Sequence, residues 1–379
     1  MHRPPYPVVL QVLPALGGGG VERGTVEITS AIAQAGGTPL VASAGGPLAI
    51  SVERSGGRNI ILPLHTRTPW GILRNATRLA RVIRSEQVDI VHARSRAPAW
   101  SAWLAARRTG VRFVTTYHGS YGEDLPLKRR YNSVMARGER VIAISRYIAS
   151  LVMESHHVPA ARIRVIPRGV DPAIFDPAKV SADRIIRLAG AWRLPDGHAT
   201  VVLPGRLTRW KGQEVLIAAL ARMRHREVTA VLVGADQGRG SYATSLAQLA
   251  ERLGVADRVR MVGHCDDMPA ALRLSDVVVN ASTDPEGFGR VIIEAQAMAR
   301  VVIATDHGGA VETIDDGITG LRVAPGDPEA LAAAIDAVLD TDAETRAAMG
   351  VRARAAVEAR FTVQAMQAAT LDVYREVLA

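Results

Sequence analysis

Cysteine is nearly missing from this chain: Cys265 is the single one among 379 residues. One thiol cannot form an intramolecular disulfide or furnish a multi-cysteine metal site, and such usage suits a reducing cytosol. Long apolar runs are missing too. No stretch approaches the roughly 18 apolar residues of a membrane span. Residues 1–16 hold no long apolar segment followed by a small-residue cleavage site, so 8–13 reads as a first strand rather than a leader. Aromatics make up 4% against an apolar share of 48%, the balance of an Ala/Val/Leu-rich α/β protein. Neither a solenoid-period repeat nor a low-complexity tail is present. Acidic residues are scarce early in the chain. Residues 1–185 carry 25 Lys+Arg against 12 Asp+Glu, net +13, while 186–379 carry 21 against 25, net −4, together the overall +9. This asymmetry turns the first part toward an anionic partner, a membrane surface or nucleic acid. Scattered arginines with few interleaved aromatics and no recognisable binding motif disfavour nucleic acid.

What is present is a regular alternation. Short apolar runs at 8–13, 39–42, 60–63, 90–92, 112–117, 140–144 and 163–166 read as strands, with helical stretches at 21–35, 71–85, 97–109 and 145–156. The pattern restarts with strands at 200–203, 229–233, 259–262, 277–280, 301–304 and 320–323. The helices between and after them fall at 212–223, 242–253, 268–274, 290–299, 310–314 and 328–340. Strands alternating with helices give parallel sheets covered on both faces. The length favours two domains, and the turn residues of Arg168-Gly169-Val170-Asp171-Pro172 and Phe175-Asp176-Pro177 mark a linker region. We expect two doubly wound domains, 1–185 and 186–362, facing a central cleft. Ligands of such sheets bind beyond the carboxyl ends of the strands. Around Trp70, Arg74, Arg78, Arg81 and Arg84 lie among Ile72, Leu73, Leu79, Val82 and Ile83. This is either a basic amphipathic helix for anionic lipid or a surface helix with solvated arginines. Lys128-Arg129-Arg130 is a second basic cluster.

Four places carry chemistry. Gly17-Gly18-Gly19-Gly20 follows the first strand and opens a helix. It is not G-x-G-x-x-G, so a dinucleotide fold is disfavoured, but glycine permits close backbone approach to a ligand. His118 ends the fifth strand, where either a site residue or a structural histidine would stand. Arg206 and Lys211 sit in the loop Gly205–Gly212 ahead of a helix, a fork and a point charge suited to phosphate oxygens, or simply two solvated cations. Asp284-Pro285-Glu286-Gly287-Phe288-Gly289-Arg290 follows another strand, with Glu294 on the second turn of the next helix. Two acids at a helix start can cap it. They can also grip two ends of a long ligand whose phosphates sit at the helix N-terminus. Asp266-Asp267 is not the D-x-D of metal-dependent sugar transferases.

Taken together, the glycine loop, His118, Gly205-Arg206…Lys211-Gly212 and the E-x7-E of Glu286 and Glu294 resemble the retaining glycosyltransferases of family 4, over nearly the whole chain. That resemblance implies the GT-B fold, two Rossmann-like domains with the last helix, 363–378, crossing back to the first, so that 363–379 joins it. It implies Arg206 and Lys211 on the donor diphosphate and Glu294 on the nucleotide ribose. Glu286 would meet the transferred sugar, with Phe288 and Gly289 offering N–H groups. His118 would face the reacting centre, and Gly19 and Gly20 would border the diphosphate and acceptor. It implies no metal or other cofactor, a UDP- or GDP-linked sugar as donor, and a same-face mechanism rather than attack by Glu286. The basic first part fits a peripheral enzyme at the cytoplasmic face of a bacterial membrane, acting on a lipid-linked or glycan acceptor in lipopolysaccharide or exopolysaccharide synthesis. The alternatives are a cytosolic transferase with a small soluble acceptor and a nucleotide-sugar epimerase of the same architecture. The epimerase would need further acid/base residues that the sequence does not display.

Overall fold

The computed structural model describes residues 7–121, 126–236, 238 and 240–379. The first six residues of the 1–16 stretch lie outside them. The apolar runs form thirteen strands in two parallel sheets. The first sheet contains β1 (Val8–Val12), β2 (Thr38–Ser43), β3 (Arg58–Ile61), β4 (Ile90–Ala93), β5 (Arg112–Tyr117), β6 (Arg140–Ala143) and β7 (Ile163–Val165), in the order β3-β2-β1-β4-β5-β6-β7. The second contains β8 (Ala199–Pro204), β9 (Val228–Val233), β10 (Val259–Gly263), β11 (Val277–Asn280), β12 (Val301–Thr305) and β13 (Leu321–Val323), in the order β10-β9-β8-β11-β12-β13. The central strands are buried along their length, which is why they read as continuous Val/Ile/Leu runs rather than alternating ones. Each order reverses once, between β1 and β4 and between β8 and β11. Loops leaving the carboxyl ends of those neighbours diverge, and ligands of open α/β sheets bind there.

The chain divides into two units, Met1–Arg168 with Val363–Ala379, and Gly169–Thr362. The break falls inside the turn-rich linker. The final helix, Val363–Leu378, belongs to the first unit. Its Met366, Val373, Tyr374 and Val377 pack with Val9, Ile90, Val114 and Ile142 of the sheet and Ile28 and Ile32 of the helix Gly20–Gln34. Polar ties fix its register. The Tyr374 hydroxyl bonds His92 Nδ1 at 2.7 Å, and His92 Nε2 bonds Thr116 Oγ1 at 2.7 Å, all three buried. Glu376 accepts from Arg140 Nε at 2.8 Å and Arg164 Nε at 3.0 Å, joining the helix to β6 and β7.

The secondary structure departs from the sequence reading in a few places. The stretch 310–314 is not an α-helix: a 3-10 turn, Gly308–Glu312, stands there, started by Gly308 at φ +63°. Helices Ala182–Ala191 and Ala343–Arg360 were not anticipated. In the latter the buried positions are small, Gly350, Ala353 and Val357, so no large apolar stripe marks it. Gly350 lets this helix approach so closely that a Cβ would lie 2.2 Å from the Ala299 carbonyl oxygen.

The Glu376 contacts yield a pH dependence. Hydrogen bonds from Arg140 and Arg164 lower its pKa to about 2 against burial. A carboxylate depressed in the folded state adds stability above its unfolded pKa, near 4.3, and loses it as pH falls toward the folded value. Urea unfolding of the wild type should therefore show stability declining between about pH 5 and pH 2, and Glu376→Gln should remove part of that slope. The partly exposed groups keep the effect modest.

Candidate functional site

Three loops leave the carboxyl ends of β8, β11 and β12 in the second unit. The first, 205–212, is held by glycine geometry. Gly212 takes φ +69° and fits so tightly that a Cβ would lie 1.8 Å from the Ala281 carbonyl oxygen. Gln213 Nε2 donates to the Arg206 carbonyl at 3.0 Å, and Thr283 N donates to the Trp210 carbonyl at 2.8 Å, binding the β8 loop to the β11 loop. In the third loop, Gly309 N donates to the Glu286 carbonyl at 2.7 Å and His307 Nε2 bonds the Ser282 carbonyl at 2.8 Å. Side chains at Gly308 or Gly309 would strike the Glu286–Phe288 backbone.

This cross-bracing brings Lys211 and Glu286 together. Lys211 Nζ lies 2.5 Å from Glu286 Oε1, with both side chains largely withdrawn from solvent. The same oxygen accepts from Ser282 Oγ at 2.5 Å and Asn280 Nδ2 at 3.0 Å. Burial pushes the Glu286 pKa up, but the Lys211 charge and the hydrogen bonds from Lys211, Ser282 and Asn280 outweigh it and leave the pKa lowered. Glu286 therefore stands as a carboxylate, with its side-chain hydrogen bonds from Lys211, Ser282 and Asn280 all ending on Oε1. Lys211 Nζ also sits 4.3 Å from the Trp210 ring centre, a cation–π contact. Arg206, on the same loop, is exposed, and its guanidinium has no partner among the described residues. It can meet an anion without first breaking a contact.

The rest of the β11 loop leads into the helix Arg290–Ala297. Gly289 starts it at φ +85° with no side-chain cap. Phe288 is buried with its ring edge-on to Phe361, 5.6 Å between centres, so only its backbone can serve a ligand. Glu294 is buried and accepts from Arg290 Nε at 3.1 Å, one turn back. Asp266 and Asp267 are occupied elsewhere: Asp266 pairs with His264, while Asp267 pairs with Arg184 and caps the helix Met268–Leu274.

Gly19, Gly20 and His118 lie in the first unit. Gly19 caps the helix Gly20–Gln34 without a side chain, and the Gly20 carbonyl accepts from Arg168. His118 directly follows β5, and neither ring nitrogen finds a hydrogen-bond partner among the described residues. Burial, then the charges of Arg168 and Arg94 and the nearby His92, hold its pKa well below the usual imidazole value, so it is neutral. Sequence reasoning missed Asn280 and Ser282, which aim Glu286, and the loop His307-Gly308-Gly309. A glycine pair directly after an apolar strand was the available signal for that loop.

Residues 18–174 match glycosyltransferase family 4, and residues 187–356 match glycosyl transferases group 1. The chain is 32% identical to the D-inositol 3-phosphate glycosyltransferase of Salinispora arenicola, over 79% of this chain and 72% of that protein. It is 33% identical to the GDP-mannose-dependent alpha-(1-6)-phosphatidylinositol monomannoside mannosyltransferase of Mycolicibacterium smegmatis, over 79% of each. A crystal structure of a glycosyltransferase from Rickettsia africae superposes with a TM-score of 0.91 at 36% identity, covering 99% of both chains. These matches span both units and agree with their sheets: the chain belongs to the group 1 and family 4 glycosyltransferases of GT-B fold.

Proposed function

We propose that this enzyme moves a sugar, with retention, from a UDP- or GDP-linked donor to a lipid-linked or glycan acceptor of the bacterial cell surface, as in lipopolysaccharide or exopolysaccharide assembly. The observation that carries the donor side is the Lys211–Glu286 pair at the switch point of the second sheet, with Arg206 exposed beside it. Breaking a sugar–phosphate bond gathers negative charge on the leaving diphosphate. Arg206 and Lys211 meet that charge, and preorganised cations lower such a barrier without metal. The N-terminal end of the helix Arg290–Ala297 adds to it. Glu286 accepts a sugar hydroxyl on the oxygen not spent on Oε1 contacts, and Glu294 accepts from the ribose. Glu286 is ill placed to be a covalent nucleophile, because Lys211, Ser282 and Asn280 already stabilise its charge. Retention then proceeds on one face of the sugar, with the departing phosphate taking the acceptor's proton. Neutral His118 offers a hydrogen bond to the sugar without adding charge.

The acceptor side rests on the first unit. Trp70 and Leu73 are 76% and 42% exposed on the helix Pro69–Ser85, and Leu127 is 79% exposed beside Lys128, Arg129 and Arg130. Apolar side chains among arginines suit the headgroup region of an anionic bilayer. A small soluble phosphorylated acceptor is the second reading, favoured by the likeness to the inositol 3-phosphate enzyme.

Incubation with UDP- and GDP-sugars should give slow donor hydrolysis with one of them. Arg206→Ala should lower turnover about 100-fold, the loss typical of one preorganised donor, with unchanged thermal unfolding. Normal turnover would remove Arg206 from the site. Lys211→Ala should also destabilise the fold by roughly 3–5 kcal/mol, because it strands a buried carboxylate. On the membrane reading, the protein should float with phosphatidylglycerol liposomes, and Trp70→Ser with Arg74→Glu should release it. Failure of the wild type to float favours the soluble acceptor.

A further inference from the structure

The ring of Phe288 ties the loop after β11 to a distant part of the chain. Phe288 stands between Gly287 and Gly289, residues that hold a backbone conformation poorly by themselves. On one side the loop after β12 braces it, where a Cβ on Gly309 would lie 2.9 Å from the Phe288 Cα. Its ring meets Phe361 edge-on, 5.6 Å between centres, with both side chains buried. Such a pair is directional, because the positive edge of one ring seeks the negative face of the other. A shift of either ring is therefore felt by its partner.

Phe361 sits where the chain changes units. It directly follows the helix Ala343–Arg360, and the second unit ends at Thr362. The Phe361 carbonyl accepts from Val170 N at 2.9 Å, and Val170 forms a parallel bridge with Thr362. The second unit begins at Gly169, so its two ends are hydrogen-bonded to each other at this point. Arg360 lies 5.1 Å from the Phe361 ring centre and pairs with Asp315 at 3.1 Å, which helps to hold the ring. A second tie joins the same two regions. Arg354 Nη1 donates to the Ala297 carbonyl at 3.0 Å, at the end of the helix Arg290–Ala297, and pairs with Asp176 of the linker at 3.5 Å.

We propose that Phe361 is a positioning residue for the donor: it couples the Glu286–Gly289 loop to the paired chain ends at Val170. This rests on the donor site proposed above. A nucleotide seated on the loop removes the freedom that the two glycines allow. The Phe288 ring is then fixed, Phe361 with it, and the Val170–Phe361 bond opens less often. Coupling between two sites acts in both directions, so loss of the ring contact must weaken the nucleotide by the same factor. Phe361 touches no substrate and acts only through Phe288. A pair of rings that merely filled the core would support the fold without responding to the donor.

The test reads hydrogen exchange at the Val170 amide of the full chain, with UDP and GDP as probes. The nucleotide that raises the unfolding temperature should slow exchange in the Glu286–Gly289 loop. It should also slow exchange at Val170, by about fivefold or more, the lower end of typical coupling between sites. Phe361→Leu keeps an apolar side chain and removes the ring. It should raise the nucleotide Kd by the same factor and abolish the added protection at Val170, while the loop stays protected at saturation. Phe288→Leu should do likewise, and the double variant should do no more than either alone, the mark of one shared contact. Ile335→Val, a change in the buried core of the same unit, should lower the unfolding temperature yet leave Kd and the Val170 response at wild-type values. If Kd and the Val170 response instead follow the unfolding temperature in that variant, the coupling is overturned. A wild-type loop protected by nucleotide with Val170 unchanged overturns it too, and needs no variant to fold. If neither nucleotide binds, the donor reading itself fails and the coupling falls with it.

Discussion

The second unit is organised around one buried carboxylate. An ion moved from water into a protein interior loses several kcal/mol of hydration even after relaxation. Glu286 recovers that loss only because Lys211, Ser282 and Asn280 converge on a single oxygen. The convergence demands that loops after β8, β11 and β12 be fixed to fractions of an ångström. The glycines at 212, 308 and 309 supply this, since a Cβ at any of them would collide with the backbone of a neighbouring loop. The glycines are therefore as much a part of the site as the charges. They let three loops stack closely enough for a lysine and a glutamate 75 positions apart to touch.

The first unit handles its charges differently. There the polar ladder Tyr374–His92–Thr116 is satisfied at both ring nitrogens of His92, and it anchors the last helix to β4 and β5. Two residues beyond His92 and Thr116, just past the ends of those strands, stand Arg94, whose Nε and Nη2 find no partner among the described residues, and His118, whose two ring nitrogens find none. The satisfied rung and the unsatisfied one follow the line of the same two strands. Fully paired polar groups specify structure, whereas unpaired buried ones are tolerated where a ligand completes them.

Much of this was legible in the sequence, for physical reasons. The central strands showed as apolar runs because strands covered on both faces have no alternation to blur them. The loops after β1, β8 and β11 were legible because glycine and charge follow directly on those runs. Asn280, Ser282 and Arg94 were not. Asn280 and Ser282 are ordinary strand-end residues until the fold turns them onto Glu286. Arg94 is one arginine among many until burial distinguishes it. Phe288 shows the opposite limit: its place in the motif was plain, but only the packing against Phe361 shows that its side chain faces inward. Helix Ala343–Arg360 went unread because its contact depends on a glycine and an alanine rather than on a large apolar stripe.

The choice of cation at 211 bears on the same point. Lys128, Lys179 and Lys211 are the only lysines in a chain with 46 Lys+Arg, so arginine is the default here and lysine the exception. Lys128 and Lys179 are exposed or nearly so, whereas Lys211 is withdrawn between Trp210 and Glu286. A guanidinium is planar and best satisfied by two acceptor oxygens. At Glu286 one oxygen already takes Ser282 and Asn280, and using the other would consume the group available to a sugar hydroxyl. An ammonium on a flexible stem needs only one oxygen and keeps two further N–H donors for phosphate. It can hold the carboxylate and a diphosphate together. An arginine would have to choose between a bidentate grip on Glu286 and one on the donor, so the geometry of a single crowded oxygen accounts for a lysine where the rest of the chain uses arginine.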